Sequence, residues 1–415
     1  MKTAIVAAAL LMWAGAAQAK IDPVIPVWIS SPTFRPATAK DGDVLAYDAQ
    51  SVRQDIRIQA PTTRVALRLT NELGTSRVTV GKVELRVIHA DGTLGEPRLA
   101  KFGGADGVTL EPGLARYTDF VDVSLPAFSD VAIIVHYPGR AEPAAHRAAV
   151  RVAQGDDTPG TDLKTVRGAA IVSAVETPAP KAFCRHVVVA LGDSITEGSG
   201  STPHNNWPSR IARHFHGKRC EVIVANAGIS GNKVLSDGGS PGLLMRLDRD
   251  VFAIPGLTDI IFSEGINDIR AAETKTFDSE ALAEQLLEGY RQLVVRAHAH
   301  GVRVIGGTLA PYKGTANQTE AGLAAVERVN SAIRSGAIFD AMVDFNRALA
   351  DPTDPQRMRS EFQKGDWLHP NDAGYAAMAA TVRDSLFASR PALGAGSPKR
   401  RLDGRRSAQA SSGSR

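Results

Sequence analysis

A serine hydroxyl attacks an ester only when a base takes its proton, a second group orients that base, and donors await the oxyanion. Residue types suited to each task occur in four short blocks of this chain. Ser194 lies in Leu191-Gly192-Asp193-Ser194-Ile195-Thr196-Glu197-Gly198, and Gly231 in Gly228-Ile229-Ser230-Gly231-Asn232. Asn267 lies in Gly265-Ile266-Asn267-Asp268, and Asp366-Trp367-Leu368-His369 forms the fourth block. His369 suits the base, and Asp366, three residues earlier, suits the group that holds its other ring nitrogen. The N–H groups of Ser194 and Gly231 and the Asn267 amide would supply three oxyanion donors. Glycine at 231 lets backbone approach a substrate with no Cβ in the way. Each block alone is ordinary. Gly-Asp-Ser is common loop composition, Asn267-Asp268 reads equally as a turn, and His369 as a residue leading into a helix beside Pro370. Asp193 is read as shaping its turn through local backbone hydrogen bonds.

The blocks gain weight from the elements they follow. Val187-Val188-Val189-Ala190 is a β-branched apolar run that reads as a buried parallel strand, and the first block begins where it ends. Strand and helix patterns then alternate five times. The second strand is expected at Glu221 to Asn226, the third at Asp259 to Ser263, the fourth at Val302 to Ile305, and the fifth at Met342 to Phe345. Asn206-Trp207-Pro208 looks like a helix cap, with a stop at Gly217. Ser240-Pro241 is expected to open a helix with Leu243, Leu244, Leu247 and Val251 on one face. Asp278 caps the clearest helix, which Gly301 stops. Another starts near Glu320, and Pro370-Asn371 starts the last. Right-handed crossovers would make all five strands parallel, with helices on both faces. All four blocks could then face one crevice beyond the carboxyl ends of the strands.

Residues 20–180 read differently. Thr63 to Leu69, Arg77 to Val80 and Val83 to Val87 alternate apolar and polar residues, and Val131 to Val135 is a continuous apolar strand. Asn71-Glu72-Leu73-Gly74, Asp91-Gly92 and Glu111-Pro112-Gly113 punctuate them as turns. The expectation is an all-β sandwich or jelly-roll-like domain over 20–180, joined through Thr177-Pro178-Ala179-Pro180 to an α/β domain over 184–390.

The two ends of the chain bear on its compartment. Residues 1–19 read as a signal peptide: Lys2, an apolar run from Ala4 to Ala16, and Ala17-Gln18-Ala19 as the cleavage site. The run is short for a membrane span and no later stretch qualifies, so a periplasmic or secreted protein is expected. Residues 391–415 are rich in Ser, Gly, Ala and Arg, and read as a disordered basic tail. That tail and Lys2 account for the formal net charge of +4, so the folded body is slightly acidic and nucleic acid is not an expected partner. Cys184 and Cys220 begin the first two strands. If those strands are neighbours, about 4.8 Å apart, the cysteines could bridge, which is favoured over two buried thiols. No metal is called for: His204, His214, His216, His298 and His300 make no ligand set with carboxylates. No cofactor is expected, since Gly192 to Gly200 lacks dinucleotide-fingerprint spacing.

The four blocks together resemble the SGNH hydrolases, also called the GDSL esterases and lipases. The match is Gly192-Asp193-Ser194, Gly231, Gly265-Ile266-Asn267-Asp268 and Asp366-Trp367-Leu368-His369-Pro370, and it spans most of 184–390. The resemblance implies a flavodoxin-like three-layer domain with strand order 2-1-3-4-5. It also implies Ser194, Gly231, Asn267 and His369 as the residues that name the family. Trp367 departs from it, standing where a polar residue would be expected. The first half is similar to the leading β domain of a bacterial secreted branch, through Val52-Arg53-Gln54, Thr70-Asn71-Glu72-Leu73-Gly74 and Phe102-Gly103-Gly104. Members similar to that branch include carbohydrate esterases that deacetylate plant polysaccharides.

The expected function is therefore a serine esterase releasing short acyl groups, acetyl foremost, from a small ester or acylated glycan. Asn232 and Trp367 are expected on the substrate side. One alternative keeps the fold and takes lipid acyl chains. The other is a glycan-binding protein whose hydrolase half is inert. Oligomeric state is not legible.

Overall fold

The computed structural model describes residues 23–40, 42–160, 162–182 and 184–389. The expected signal peptide at 1–19 and basic tail at 391–415 lie outside the described residues.

From Cys184 the chain winds a five-stranded sheet. Its strands are β1 (Cys184–Gly192), β2 (Cys220–Gly228), β3 (Leu257–Ser263), β4 (Arg303–Gly307) and β5 (Ala341–Val343). They lie in the order β2-β1-β3-β4-β5, and every pairing is parallel. The helices are α1 (Ser194–Glu197), α2 (Trp207–Phe215), α3 (Leu243–Leu247), α4 (Ile266–Ala272), α5 (Ser279–Ala299), α6 (Glu320–Arg334), α7 (Phe345–Leu349) and α8 (Asp372–Ala380). One face of the sheet packs with α3 to α6 through Leu247, Ile269, Leu286 and Val329. The other packs with α2, α7 and α8 through Ile211, Leu349 and Met378. Such burial on both faces is why the strands are apolar throughout rather than alternating.

Local chemistry sets the helix ends. The side chains of Asn206, Asp278, Thr319 and Asn371 accept from first-turn N–H groups of α2, α5, α6 and α8. The segment after Ser240-Pro241 departs from expectation. Helix α3 lacks a side-chain cap at Gly242 and runs into a π-helical turn at Asp248–Phe252, which still buries Val251. Helix α4 replaces what looked like a turn. Gly265, at φ 138°, swings the chain out of β3, and Ile266 and Ile269 bury into the core.

The strands before Pro178 make two larger sheets and one small one. In the first, Val24–Ile29, Val172–Pro178, Thr62–Thr70 and Val121–Leu125 pair in that order, with Ala115–Tyr117 also on Thr62–Thr70. The second runs Asp43–Val44, Val166–Ala170, His146–Gln154, Gln50–Arg57, Asp130–Tyr137, Lys82–Val87 and Arg98–Ala100. Residues of both, such as Leu67, Val175, Val52 and Ile133, share one core. Pairing is antiparallel except between Asp43–Val44 and Val166–Ala170. The expected linker is partly strand, since Thr177 and Pro178 still pair with Ile25 and Val24.

The two halves are in close contact. Val187 and Ile223 join the β core, while Ile29 and Ala174 join the α/β core. One edge strand of the parallel sheet is β2, and Gln59 pairs with it: the Gln59 amide donates to the Val224 carbonyl at 2.7 Å and accepts from its N–H at 3.0 Å. Cys184 and Cys220 face each other in the β1–β2 register and are disulfide-bonded. A ring nitrogen of His186 lies within 4.8 Å of both sulfurs, but bonded sulfurs offer no thiolate to a metal. No described helix is long and apolar enough to cross a membrane.

Candidate functional site

The carboxyl ends of the parallel strands bring three of the predicted residues into one line. Ser194 opens α1 directly after β1, and its Oγ lies 2.8 Å from Nε2 of His369. Nδ1 of His369 lies 2.7 Å from Oδ2 of Asp366. Asp366 also accepts from the N–H groups of Leu368 at 3.0 Å and His369 at 2.9 Å, so one carboxylate shapes the loop and orients the ring. Because a carboxylate only accepts, Nδ1 carries the proton and Nε2 presents its lone pair to the serine. Burial works to raise the Asp366 pKa, but those three hydrogen bonds hold it down at about 2. For His369, burial dominates and lowers the pKa below its ordinary value, Asp366 opposing and Lys364 and Arg270 adding to the fall. A neutral imidazole beside an ionised aspartate is the state general-base catalysis needs.

Asp193 caps α1. It is buried, and its side chain accepts from the Ile195 N–H at 2.9 Å, which turns the chain at the strand end as read from the sequence. Burial, then the nearby Asp268 and Glu197, push its carboxyl up to about 7. Gly192 leaves no room for a side chain: a Cβ there would fall 2.3 Å from Thr196 Oγ1 and 2.4 Å from the Ser263 carbonyl. The first-turn N–H of Ser194 and that of Gly231 have no partner among the described residues. Gly231 sits exposed at φ 78°, with nothing within 4 Å of a would-be Cβ.

Asn267 stands in the first turn of α4, and one of its amide hydrogens goes to the Asn232 carbonyl at 3.0 Å. Its second hydrogen stays free to donate. Asn232 needs correction as a substrate contact. Its side chain is buried, with Nδ2 donating to Ser240 Oγ at 2.9 Å and the Pro241 carbonyl at 2.8 Å. Its Oδ1 accepts from Arg246 at 2.7 Å, so the residue is a strut of the loop that aims Asn267. Trp367 is half-buried at φ 59°, with the Arg357 guanidinium carbon 3.8 Å from its ring centroid. The chain thus turns sharply between Asp366 and His369.

Four residues were not singled out from sequence. Arg246 is wholly buried and ties the blocks together: it donates to Asn232 Oδ1, to the Ala227 carbonyl at 2.8 Å and to the Gly192 carbonyl at 3.1 Å. Glu264, just before Gly265, lies 3.6 Å from it. An arginine between Leu243 and Leu247, on an otherwise apolar face, was the available signal. Asp268 accepts from the N–H groups of Val234 and Leu235, both at 2.9 Å, and fixes the far end of the second block. Glu197 accepts from the Ser230 N–H at 2.6 Å and from its hydroxyl, and fixes the near end. The arrangement can pass a proton from the Ser194 hydroxyl to a neutral imidazole, and the N–H groups of Ser194 and Gly231 and one Asn267 amide hydrogen remain to donate.

Residues 190–377 match the model of the GDSL-like lipase/acylhydrolase family. No curated protein matches the chain. Among solved structures it is similar to a GDSL-like lipase from Bacteroides thetaiotaomicron VPI-5482, at 21% identity and a TM-score of 0.36, over 48% of this chain and 87% of that one. It is similar to an acetyl xylan esterase at 20% identity and a TM-score of 0.35, over 47% of this chain and 96% of the other. It is also similar to an aryl esterase of M. smegmatis at 17% identity and a TM-score of 0.38, over 49% and 99%.

Proposed function

We propose that this chain, whose residues 190–377 match the GDSL-like lipase/acylhydrolase family, is an extracytoplasmic serine esterase acting on short acyl groups, acetyl foremost, carried by a carbohydrate. In this reading Ser194 is the nucleophile, His369 the general base and then the general acid, and Asp366 the residue that holds the ring. The N–H groups of Ser194 and Gly231 and the amide of Asn267 receive the oxyanion, and Trp367 walls the mouth. The single observation that carries the reading is the unbroken line from Ser194 Oγ to His369 to Asp366 at 2.8 and 2.7 Å. Attack of Oγ on the ester carbonyl forms the tetrahedral adduct as Nε2 takes the proton. That proton passes to the departing alcohol, and a water then repeats the sequence to release the acid.

A polar alcohol portion is supported by the cavity beside Ser230. It measures about 430 Å³ and is lined by Thr33, Arg35, Lys40, Arg147 and Arg167 from the β half, alongside Ile229 and Ser230. The proposed organisation is a β domain over 20–180 that walls the crevice and a catalytic domain over 184–390. The Cys184–Cys220 bond supports an oxidising compartment, in line with the signal peptide read at 1–19.

An acetate-release screen over acetylated xylan, pectin and small esters, together with a chain-length series of aryl esters, tests the proposal. The expected result is acetate release from a glycan, abolished in Ser194→Ala, with aryl acetate preferred over long chains. Activity that rises beyond about eight carbons, where each buried CH₂ adds roughly 0.8 kcal/mol, would instead identify a lipase.

A further inference from the structure

One histidine of the β half reaches the catalytic half. Nε2 of His146 lies 3.3 Å from Oε1 of Glu197, and its Nδ1 lies 3.1 Å from the Ser31 carbonyl. A carbonyl oxygen only accepts, so Nδ1 must carry a hydrogen. A carboxylate only accepts, so Nε2 must carry one too. Both contacts are satisfied together only by the imidazolium. The other oxygen of Glu197 holds Ser230 by its N–H and hydroxyl, and Ser230 precedes Gly231.

We propose that His146 is a positioning residue for the proposed esterase site: as a cation it anchors Glu197, which fixes Ser230 and so sets the direction of the Gly231 N–H. The inference rests on the reading of Ser194 as nucleophile. It gives the β half a part in catalysis, because the loop carrying one oxyanion donor is braced from the other half of the molecule.

The surrounding charges act in both directions. Burial lowers the His146 pKa, Glu197 and the Ser31 carbonyl raise it, Arg167 opposes them, and the net is a rise. Glu197 is shifted the other way: burial raises it, but His146 and Ser230 bring it below its ordinary value. Arg35, Lys40 and Arg147 line the cavity on one side of His146, with Arg147 paired to Asp43 and Arg35 to Glu142. Asp55, Arg57, His204 and Arg213 line a second cavity of about 230 Å³ on its other side, with Arg57 paired to Asp130. The brace therefore holds once Glu197 ionises and is lost as pH rises through the elevated His146 pKa. His369 must be neutral and His146 charged, so activity has an acid limb from the first and an alkaline limb from the second.

The test is the pH profile of kcat and kcat/KM for aryl acetate, between about pH 5 and pH 9, in the full chain and in His146→Gln, Glu197→Gln and Ser194→Ala. In the wild type we expect both limbs. His146→Gln should lose the alkaline limb, keep the acid limb, and fall about tenfold in kcat with KM little changed, less than the ~10²–10³ for deleting an oxyanion donor outright. Glu197→Gln should do the same. His146→Gln with an unaltered alkaline limb and kcat within about twofold of wild type, beside an inactive Ser194→Ala, overturns this inference alone. Full activity in Ser194→Ala overturns the esterase reading itself. Should the His146 variant not fold, ring-nitrogen NMR of the intact wild-type chain decides: both His146 nitrogens protonated at pH 7 is expected, and a neutral ring contradicts the brace.

Discussion

Arg246→Met removes the side chain that joins three blocks of the site while keeping a long, flexible one in its place. Three charge-assisted hydrogen bonds disappear, to the carbonyls of Gly192 and Ala227 and to Asn232 Oδ1. Their costs differ. The Gly192 carbonyl still accepts from the Ile229 N–H at 3.1 Å, whereas Asn232 Oδ1 is left buried with no donor. Asp250, 3.5 Å from the Arg246 guanidinium, keeps Arg249, which pairs with it at 2.5 Å. Burial, opposed by Arg246 and aided by Asp193 and Asp268, pushes the Glu264 carboxyl up to about 8, so at pH 7 it is mostly the neutral acid and loses little in Coulomb energy. A folded-state pKa raised above the unfolded 4.5 means stability present below pH 4.5 and lost as pH rises through about 8. At pH 7 the dominant loss is hydrogen bonding around one orphaned amide oxygen, and the expected destabilisation is ~1–3 kcal/mol, the range for a buried acceptor left without its donor. Urea unfolding followed by circular dichroism measures it. Because Asn232 also holds the Asn267 amide, kcat should fall as well, and Arg246→Lys, which restores charge without the fork, should recover only part of both. A stability loss under about 1 kcal/mol with unchanged kcat would refute the claim that Arg246 organises the site.

Other outcomes follow from the same contacts. Asn267→Ala should lower kcat ~10²–10³-fold with KM nearly unchanged, since it removes a donor used in the transition state; steady-state kinetics on aryl acetate checks it. The acid limb of kcat/KM should fall below pH ~6.5, because His369 is lowered and must lose its proton to act as base; an inflection above that value contradicts the burial argument. Reducing Cys184–Cys220, which spans a sequence separation of 36, should cost about 3–4 kcal/mol in chain entropy, read as a lower melting temperature under reductant.

The first three blocks were legible because apolar runs end at or near glycines, and chemistry placed just after them faces the carboxyl ends of the strands. The helices were legible where Asp278 or Asn371 capped an amphipathic run. The strand order came from the family resemblance, and the five parallel strands follow it. What could not be read depends on loops closing in space. Asn232 was expected on the substrate side, but Ser240, Pro241 and Arg246, the last arriving from α3, hold its side chain inward. Arg246 was not singled out, because its acceptors are two carbonyls and an amide oxygen brought to it by the fold. Helix α4 hid in a Gly-Ile-Asn-Asp stretch whose composition is that of a turn, and packing of Ile266 and Ile269 decides for helix. His146 sits in an unremarked β strand, and its meaning comes entirely from a carboxylate in the other half of the chain.

The proposed esterase chemistry turns on Ser194 being a nucleophile activated by His369. Its most direct measurement is reaction of the full chain with a fluorophosphonate, with the modified residue located by peptide mass spectrometry. One equivalent of label on Ser194, slowed ~10³-fold or more in His369→Ala, is the predicted result. Label on another residue, or an equal rate in the two proteins, would contradict it.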